Sequence, residues 1–299
     1  MTLQSSLLEI ADPGLFGIAY HSPNKRWIVG LYQSPGDERA RGRVALVDYP
    51  RDELLHKLDF VVRPFNCAVS DAAIYAVYDA GDNAGLQSDV IVIAPDGREL
   101  FERHYEAIVF SLGISDCGRY VAVQTANAPG PDGCILEVLD IKEQSRLFTV
   151  HPATQWALTY SFEIANGELQ KLWVDQRELG AFSYSASGIF LEDQRYREVK
   201  LDKGDYSMKV MTAQGLLKND SSQESAIVAL AAAEVALVQG AKDRDDWASL
   251  AHRVRGEALE RLERLPEALD AYDSALTLNP KIGVLKRAKV LRGKLGAVK

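Results

Sequence analysis

The sequence predicts a chain in two parts, a β domain of repeated small sheets followed by an α domain, and three observations lead there. The residues around Ser115 repeat those around Ser70 at an offset of 45: Val69-Ser70-Asp71 precedes Tyr75 as Ile114-Ser115-Asp116 precedes Tyr120. After residue 221 the hydrophobic period changes from about two to about 3.6. The charge changes with it, since residues 1–221 carry 21 basic and 31 acidic side chains and residues 222–299 carry 13 and 11.

A weaker third copy places Ser22 five residues before Trp27, at an offset of 48 from Ser70. Periods of about 40 to 50 residues built from short strands mark β-propeller blades, four-stranded sheets that cannot bury their faces without neighbours. In the first repeat, strands are expected over 16–20, 27–32, 44–49 and 54–60, with a turn at Ser22-Pro23-Asn24-Lys25. The second repeat starts at Phe65 and continues over 74–78, 90–93 and 100–104; the third starts at Val109 and continues over 120–123, 135–139 and 147–150. Many of these runs are continuously apolar, as strands packed on both faces should be. Residues 156–205 hold further strand-like runs at 156–164, 169–174, 181–184 and 189–191, and Ser185 stands five residues before Phe190, which favours two blades there over one. The expected fold is a small or incomplete β-propeller of four or five blades over 1–205, a connector rich in Lys, Asp, Ser and Gly over 206–221, and a helical domain over 222–299.

In the helical part, Ser221-Ser222-Gln223-Glu224 has the pattern of a capping box opening a helix over 225–238, which Gly240 closes. A second helix follows Asp245-Asp246, with Trp247, Leu250, Ala251, Val254 and Ala258 on one face. A third starts near Pro266, with Leu269, Tyr272 and Leu276 spaced for the same core, and Pro280 ends it. The last helix carries Lys281, Lys286, Arg287, Lys289, Arg292, Lys294 and Lys299 beside an apolar stripe of Ile282, Leu285, Ala288 and Leu295, the pattern of a capping helix with a basic solvated face.

Composition excludes several classes. With 299 residues, 47% hydrophobic and 25% charged, the chain is that of an ordinary globular protein. Its first residues have neither a basic n-region nor an apolar h-region, so no secretory signal is expected, and no run is long enough for a membrane span. Cys67, Cys117 and Cys134 are odd in number and contain no C-x-x-C pair, which fits reduced thiols and a cytoplasmic location. A net charge of −8, concentrated in the larger part, argues against nucleic acid. The five histidines are scattered, and His-Glu-x-x-His, Gly-x-Ser-x-Gly and Gly-x-x-x-x-Gly-Lys are all absent. Asp79, Asp82, Asn83 and Asp89 could offer oxygen ligands, but their spacing fits no EF-hand or nonapeptide calcium pattern. No catalytic residue, cofactor or metal is therefore expected.

Two resemblances follow from these residues. Gly256, Ala268, Tyr272, Ala275 and Pro280 fall at the spacings of a tetratricopeptide repeat over 249–282, although His252 and Leu259 stand where such repeats usually have tryptophan and tyrosine. The Ser-Asp-x-Gly-x-Tyr turn at Ser115 to Tyr120 resembles the turns of WD40-like and lactonase-type propellers. The first resemblance implies a peptide-binding face exposing Arg253, Glu257, Glu260 and Arg261. The lysine and asparagine of the carboxylate-clamp form are replaced by Arg253 and Glu257, which argues against capture of a C-terminal carboxylate.

The blade loops at 33–42, 79–88 and 126–133 each join a second strand to a third, so propeller topology places them on one face, where Asp37, Glu38, Arg39, Arg41, Asp82, Asn83 and Asp132 would contact a partner. The expected function is a non-enzymatic protein-interaction module, an inhibitor or toxin-neutralising protein being one form, with self-association through the helices as a further expectation. The competing expectation is a propeller-type hydrolase or lyase with His21, Asn66 and Glu163 near a central channel.

Overall fold

The computed structural model describes residues 6–10, 15–32, 42–59, 63–81 and 85–296. The chain divides into two compact units, Met1–Glu192 and Asp193–Lys299. In the first, the described residues form four antiparallel sheets in chain order. Sheet 1 contains β1 (Ser6–Ile10), β2 (Leu15–His21), β3 (Trp27–Tyr32), β4 (Arg43–Asp48) and β5 (Glu53–Leu58). Sheet 2 contains β6 (Pro64–Val69), β7 (Tyr75–Asp79), β8 (Ser88–Ile93) and β9 (Glu99–Tyr105). Sheet 3 contains β10 (Val109–Ile114), β11 (Tyr120–Thr125), β12 (Leu136–Asp140) and β13 (Ser145–Val150). Sheet 4 contains β14 (Thr159–Ala165), β15 (Glu168–Gln176) and β16 (Gly180–Ser185).

Within each sheet every strand pairs with its sequence neighbour, so each is a meander. The middle strands are buried on both faces because the sheets stack in order. Side chains alternate across a strand, so Tyr75, Val77 and Ile91 share a core with Val29, Leu31 and Leu46 of sheet 1, while Ala76, Tyr78 and Val90 join Val109, Val121 and Val123 of sheet 3. Tyr120, Ala122 and Leu136 turn the other way and pack with Leu172, Val174 and Tyr184 of sheet 4. Among the first strands, β6 lies beside β2, and β10 lies beside both β6 and β14.

The serine turns explain the sequence repeat and correct its alignment. The Ser115 amide donates to Tyr120 O while its hydroxyl accepts from the Tyr120 amide, and Ser22 does the same with Trp27. Ser70 closes one residue earlier, on Ile74. Its shorter turn runs through Ala73 at φ 61°, where the longer Ser115 turn uses Gly118 at φ 78° and then adds Arg119. Ile74, not Tyr75, is therefore the counterpart of Tyr120. A shift of one residue reverses the face of a strand side chain, so the two tyrosines, both fully buried, serve different sheet interfaces and are not equivalent.

The Ser185 motif is corrected as well. Its turn closes on Ile189 and joins β16 to Phe190, which bridges Tyr184, so it starts no new blade. Sheet 4 has a fourth strand shortened to that bridge and to the Leu191 amide on Ser183 O (3.0 Å). The described residues thus contain four sheets.

The second unit holds α1 (Asp193–Lys203), α2 (Tyr206–Asn219), α3 (Gln223–Val238), α4 (Asp245–Arg261), α5 (Leu265–Leu278) and α6 (Leu285–Gly296). The expected connector is helix α2, and α1 lies where the β domain was expected to continue. Two features outweigh the polar composition: Asp205 caps α2 through the Met208 amide (2.8 Å), and Val210, Ala213 and Leu217 are buried against α3 and α4. Lys209 is also buried, its ammonium donating to Leu201 O and Asp202 O at 2.7 Å each, which satisfies carbonyls at the end of α1. Ser222 caps α3 through the Ser225 amide (3.1 Å). That places Ser225, not Glu224, at the third helical position, and Asp220 accepts from both the Ser222 amide and its hydroxyl. Gly256 lets α4 approach α5: a Cβ there would lie 2.5 Å from the Tyr272 ring. In α6 the buried residues are Ala288 and Leu291, preceded by Val284, and Leu285 is exposed. The stripe is therefore rotated from the expected one.

Candidate functional site

Antiparallel pairing gives each sheet of the first unit two ends with different chemistry. At the turn end, neighbouring sheets are hydrogen-bonded together. The Asn24 amide donates to Asp71 Oδ1 (2.8 Å) and the Trp27 indole to Asp71 O (3.0 Å). The Asp71 amide donates to Asp116 O (2.9 Å). Arg119 and the Tyr120 hydroxyl both donate to Gly167 O, and Arg119 also pairs with Asp140 and Glu168. The sheets are thus aligned in one sense, and the ends of β3, β7 and β11 and the starts of β4, β8 and β12 lie at the opposite end, the loop end.

That loop end exposes aromatic rings. Phe65 is 60% exposed, Phe110 46% and Trp156 52%. Phe65 and Phe110 occupy bulges near the starts of β6 and β10, where the pairing register shifts between Pro64 and Asn66 and between Val109 and Ser111. A bulged residue escapes the alternation that would have buried it. Trp156 lies in the connector before β14 and stacks on Phe110, ring centroids 4.0 Å apart and planes 23° apart. The buried Gln124 holds this connector on both sides of Trp156, its Oε1 accepting from the Ala157 amide (2.9 Å) and its Nε2 donating to Gln155 O (3.4 Å). The Tyr160 hydroxyl meets Ser111 Oγ at 2.6 Å and donates to Gln124 Oε1 (3.4 Å). Tyr20 likewise donates to Phe65 O (3.4 Å). Burial, with a smaller contribution from Cys67, pushes its hydroxyl up to about 12, so it remains a donor.

The described connectors around Ala107 and Asp132 are fastened by hydrogen bonds. The Ser88 hydroxyl bridges Ala107 O and the Val109 amide. Asp132 accepts from Arg103 (2.8 Å) and from the Glu106 amide (2.9 Å). It is buried and holds its own loop to sheet 2, which leaves little of it to meet a partner. At Gly133 a Cβ would fall 2.1 Å from Ala128 O, so only glycine fits. Two buried side chains at this end have hydrogen-bonding atoms without a partner among the described residues: the Tyr32 hydroxyl, and both the Oε1 and Nε2 of Gln176. Asp37, Glu38, Arg39, Arg41, Asp82 and Asn83 lie outside the described residues.

The four residues expected on the helical unit divide between two roles. Arg253 pairs with Glu257 (3.0 Å) and donates to Ile282 O (3.1 Å); Glu260 accepts from the Tyr272 hydroxyl (2.7 Å). Arg287 of α6 sits 3.7 Å from both Glu257 and Glu260. These charges tie α4 to α5 and α6. Arg261 donates to Asp220 O and Leu217 O, capping the end of α2. The residues of the hydrolase expectation are dispersed: His21 closes β2 at the turn end, Asn66 lies near the loop end of β6 with its Oδ1 on the Cys67 amide, and Glu163 pairs with Lys171 across β14 and β15. Among the described residues no group of three His, Cys, Asp or Glu is placed to hold a metal, and no helix is long and apolar enough to cross a membrane.

The exposed aromatics escaped sequence reasoning, although a signal was present: Phe65 and Phe110 precede Ser70 and Ser115 by the same five residues. No family model and no curated protein matches the chain. Among solved structures it is similar to Kuenenia stuttgartiensis hydrazine synthase, at 18% identity and a TM-score of 0.39 over 64% of this chain and 52% of that one. It is also similar to a chain of the mitotic checkpoint complex, at 12% identity and a TM-score of 0.38 over 62% of this chain and 58% of that one. The chain thus spans little more than half the length of each. Both scores are too low to carry a structural argument, so the architecture rests on the strand pairing described above.

Proposed function

We propose that this is a cytoplasmic, non-enzymatic protein-interaction module, a small four-bladed propeller-type β unit followed by tetratricopeptide-like helices, which holds a partner protein at its loop end. The observation that carries the reading is the half-exposed, stacked Phe110–Trp156 pair, fixed by Gln124 beside the fastened 126–133 loop. Exposed aromatic rings on rigid elements are where interfaces concentrate their binding energy, and ordering them in advance lowers the entropy lost on association. The propeller reading is supported by four meander sheets stacked in chain order with adjacent first strands, and the helical reading by the Gly256–Tyr272 contact. Neutralisation of a toxin or inhibition of an enzyme is one form of this function, since either needs a shaped surface and no reactive group. The test is affinity capture from the source organism with wild type, Phe110→Ser/Trp156→Ser, and Arg253→Glu/Glu257→Arg. Loss of the partner in the aromatic variant alone is expected. Retention there with loss in the charge-swapped variant would move recognition to the helices.

A further inference from the structure

Helix α3 is apolar around its whole circumference. Between Gln223 and Val238 its only charged residues are Glu224 and Glu234, and Glu234 is held at one edge by Arg255 of α4 (3.2 Å). A helix with no polar face is ordinarily buried on all sides, yet among the described residues α3 is covered on only one. Ala226, Ala229, Leu230 and Ala233 pack into the helical core, against α2 and α4. On the opposite face Ile227 is 58% exposed, Val228 38%, Val235 45% and Val238 80%, with exposed Ala231 between them. Exposed apolar residues scattered singly are ordinary, whereas a contiguous stripe over three turns marks a surface that meets something. Ile227, Ala231, Val235 and Val238 are spaced for the straight seam along which two helices pack, and the small Ala231 lets a second backbone come close.

The charges at the two ends of this seam select what covers it. Glu224 lies in the first turn of α3, and the exposed Lys242 follows the last residue of the helix by four. An antiparallel second copy would set its Val238 against Ile227, its Val235 against Ala231, and its Lys242 at the end that carries Glu224. Opposed macrodipoles favour the same arrangement. A parallel copy would set Glu224 against Glu224, a like-charge contact that opposes association. We propose that α3 is a homodimerisation helix, through which two copies of the chain associate antiparallel about a twofold axis at the middle of the Ile227–Val238 stripe. The dimer concerns the second unit alone and is independent of the loop-end reading. One helix pair is at the small end of specific interfaces, so the dimer should dissociate at about 1–100 μM.

The test is sedimentation equilibrium of the full chain from about 1 to about 300 μM. Wild type should pass from monomer to dimer over that range, and its melting temperature should rise with concentration. Ala231→Glu puts two carboxylates into the middle of the seam and should stay monomeric throughout, with an unchanged helical circular dichroism spectrum. Val238→Glu serves as the second variant, and failure of both to fold would make this face structural and overturn the proposal. Glu224→Lys and Lys242→Glu should each weaken the dimer about fivefold, because a twofold interface loses two charge pairs at once. The double reversal should restore it, a rescue that neither a parallel dimer nor a folding defect would give. Absence of that rescue would overturn the proposal. So would a chain that is monomeric at the highest concentration, a dimer indifferent to Ala231→Glu, or a dimer lost instead in Phe110→Ser/Trp156→Ser, which would put the second copy on the loop end.

Discussion

Replacing Tyr120 by alanine should open the interface between sheets 3 and 4 and leave that between sheets 1 and 2 closed. The ring is fully buried, and deleting a buried aromatic costs about 3–5 kcal/mol. Its hydroxyl donates to Gly167 O and accepts from the Leu169 amide, both at 3.1 Å. The orphaned amide adds about 1–3 kcal/mol. The sum, about 4–8 kcal/mol, rivals the whole stability of a domain, so Tyr120→Phe, which keeps the packing and loses only the hydroxyl, is the informative companion at about 1–3 kcal/mol. Urea midpoints at constant slope measure the cost, and amide exchange locates it. In Tyr120→Phe, protection should fall at Leu169, Leu172 and Val174. Tyr75→Ala should instead expose Val29, Leu31 and Leu46. Loss of protection at the same amides in both variants, or no cost for Tyr120→Phe, would refute the one-residue offset between the serine turns.

Three further outcomes are expected. Gly256→Ala should destabilise by about 1–2 kcal/mol, because overpacking against Tyr272 outweighs the better helix propensity of alanine, whereas Gly215→Ala, whose added Cβ meets nothing within 4 Å, should stabilise by about 0.5–1 kcal/mol in thermal melts. Lys209→Met should cost about 2 kcal/mol and speed proteolysis of α1, whose terminal carbonyls it now satisfies. Hydrogen bonds from the Ser225 hydroxyl and from Ser222 hold the Asp220 carboxyl down to about 2. A depressed carboxyl contributes stability above its unfolded value near 3.9 and loses it as the pH falls through its folded value, so the difference in melting temperature between wild type and Asp220→Ala should shrink between about pH 4 and pH 2.

Much of this fold is legible in the sequence, because small meander sheets repeat their turn chemistry. The Ser22, Ser70 and Ser115 turns were visible as an echo, and the buried middle strands as continuous apolar runs. The echo misled where turn length differs. Fixed spacing from the serine aligned Tyr75 with Tyr120, and only hydrogen bonding shows that Ser70 closes on Ile74. The same spacing at Ser185 suggested an extra blade, because a serine turn serves third-to-fourth strands as well as first-to-second. Helix α2 was hidden by its Lys, Asp and Gly content, although Asp205 and the Val210, Ala213 and Leu217 spacing carried its cap and its face. The site was less legible than the fold. Charged residues draw attention as binding groups, yet Asp132 of a blade loop and Arg261 of α4 are occupied holding backbone. Phe65 and Phe110 look like ordinary strand residues until a bulge turns them outward.

The central claim is that a partner is held at the loop end and not at the turn end. Photo-cross-linking tests it most directly, with a benzophenone amino acid at position 65 or 108 of the loop end, or at position 24 of the turn end, in the full chain exposed to lysate of its source organism. The account predicts one cross-linked partner from positions 65 and 108 and none from position 24. The same partner recovered from position 24, with nothing from 65 or 108, would contradict it.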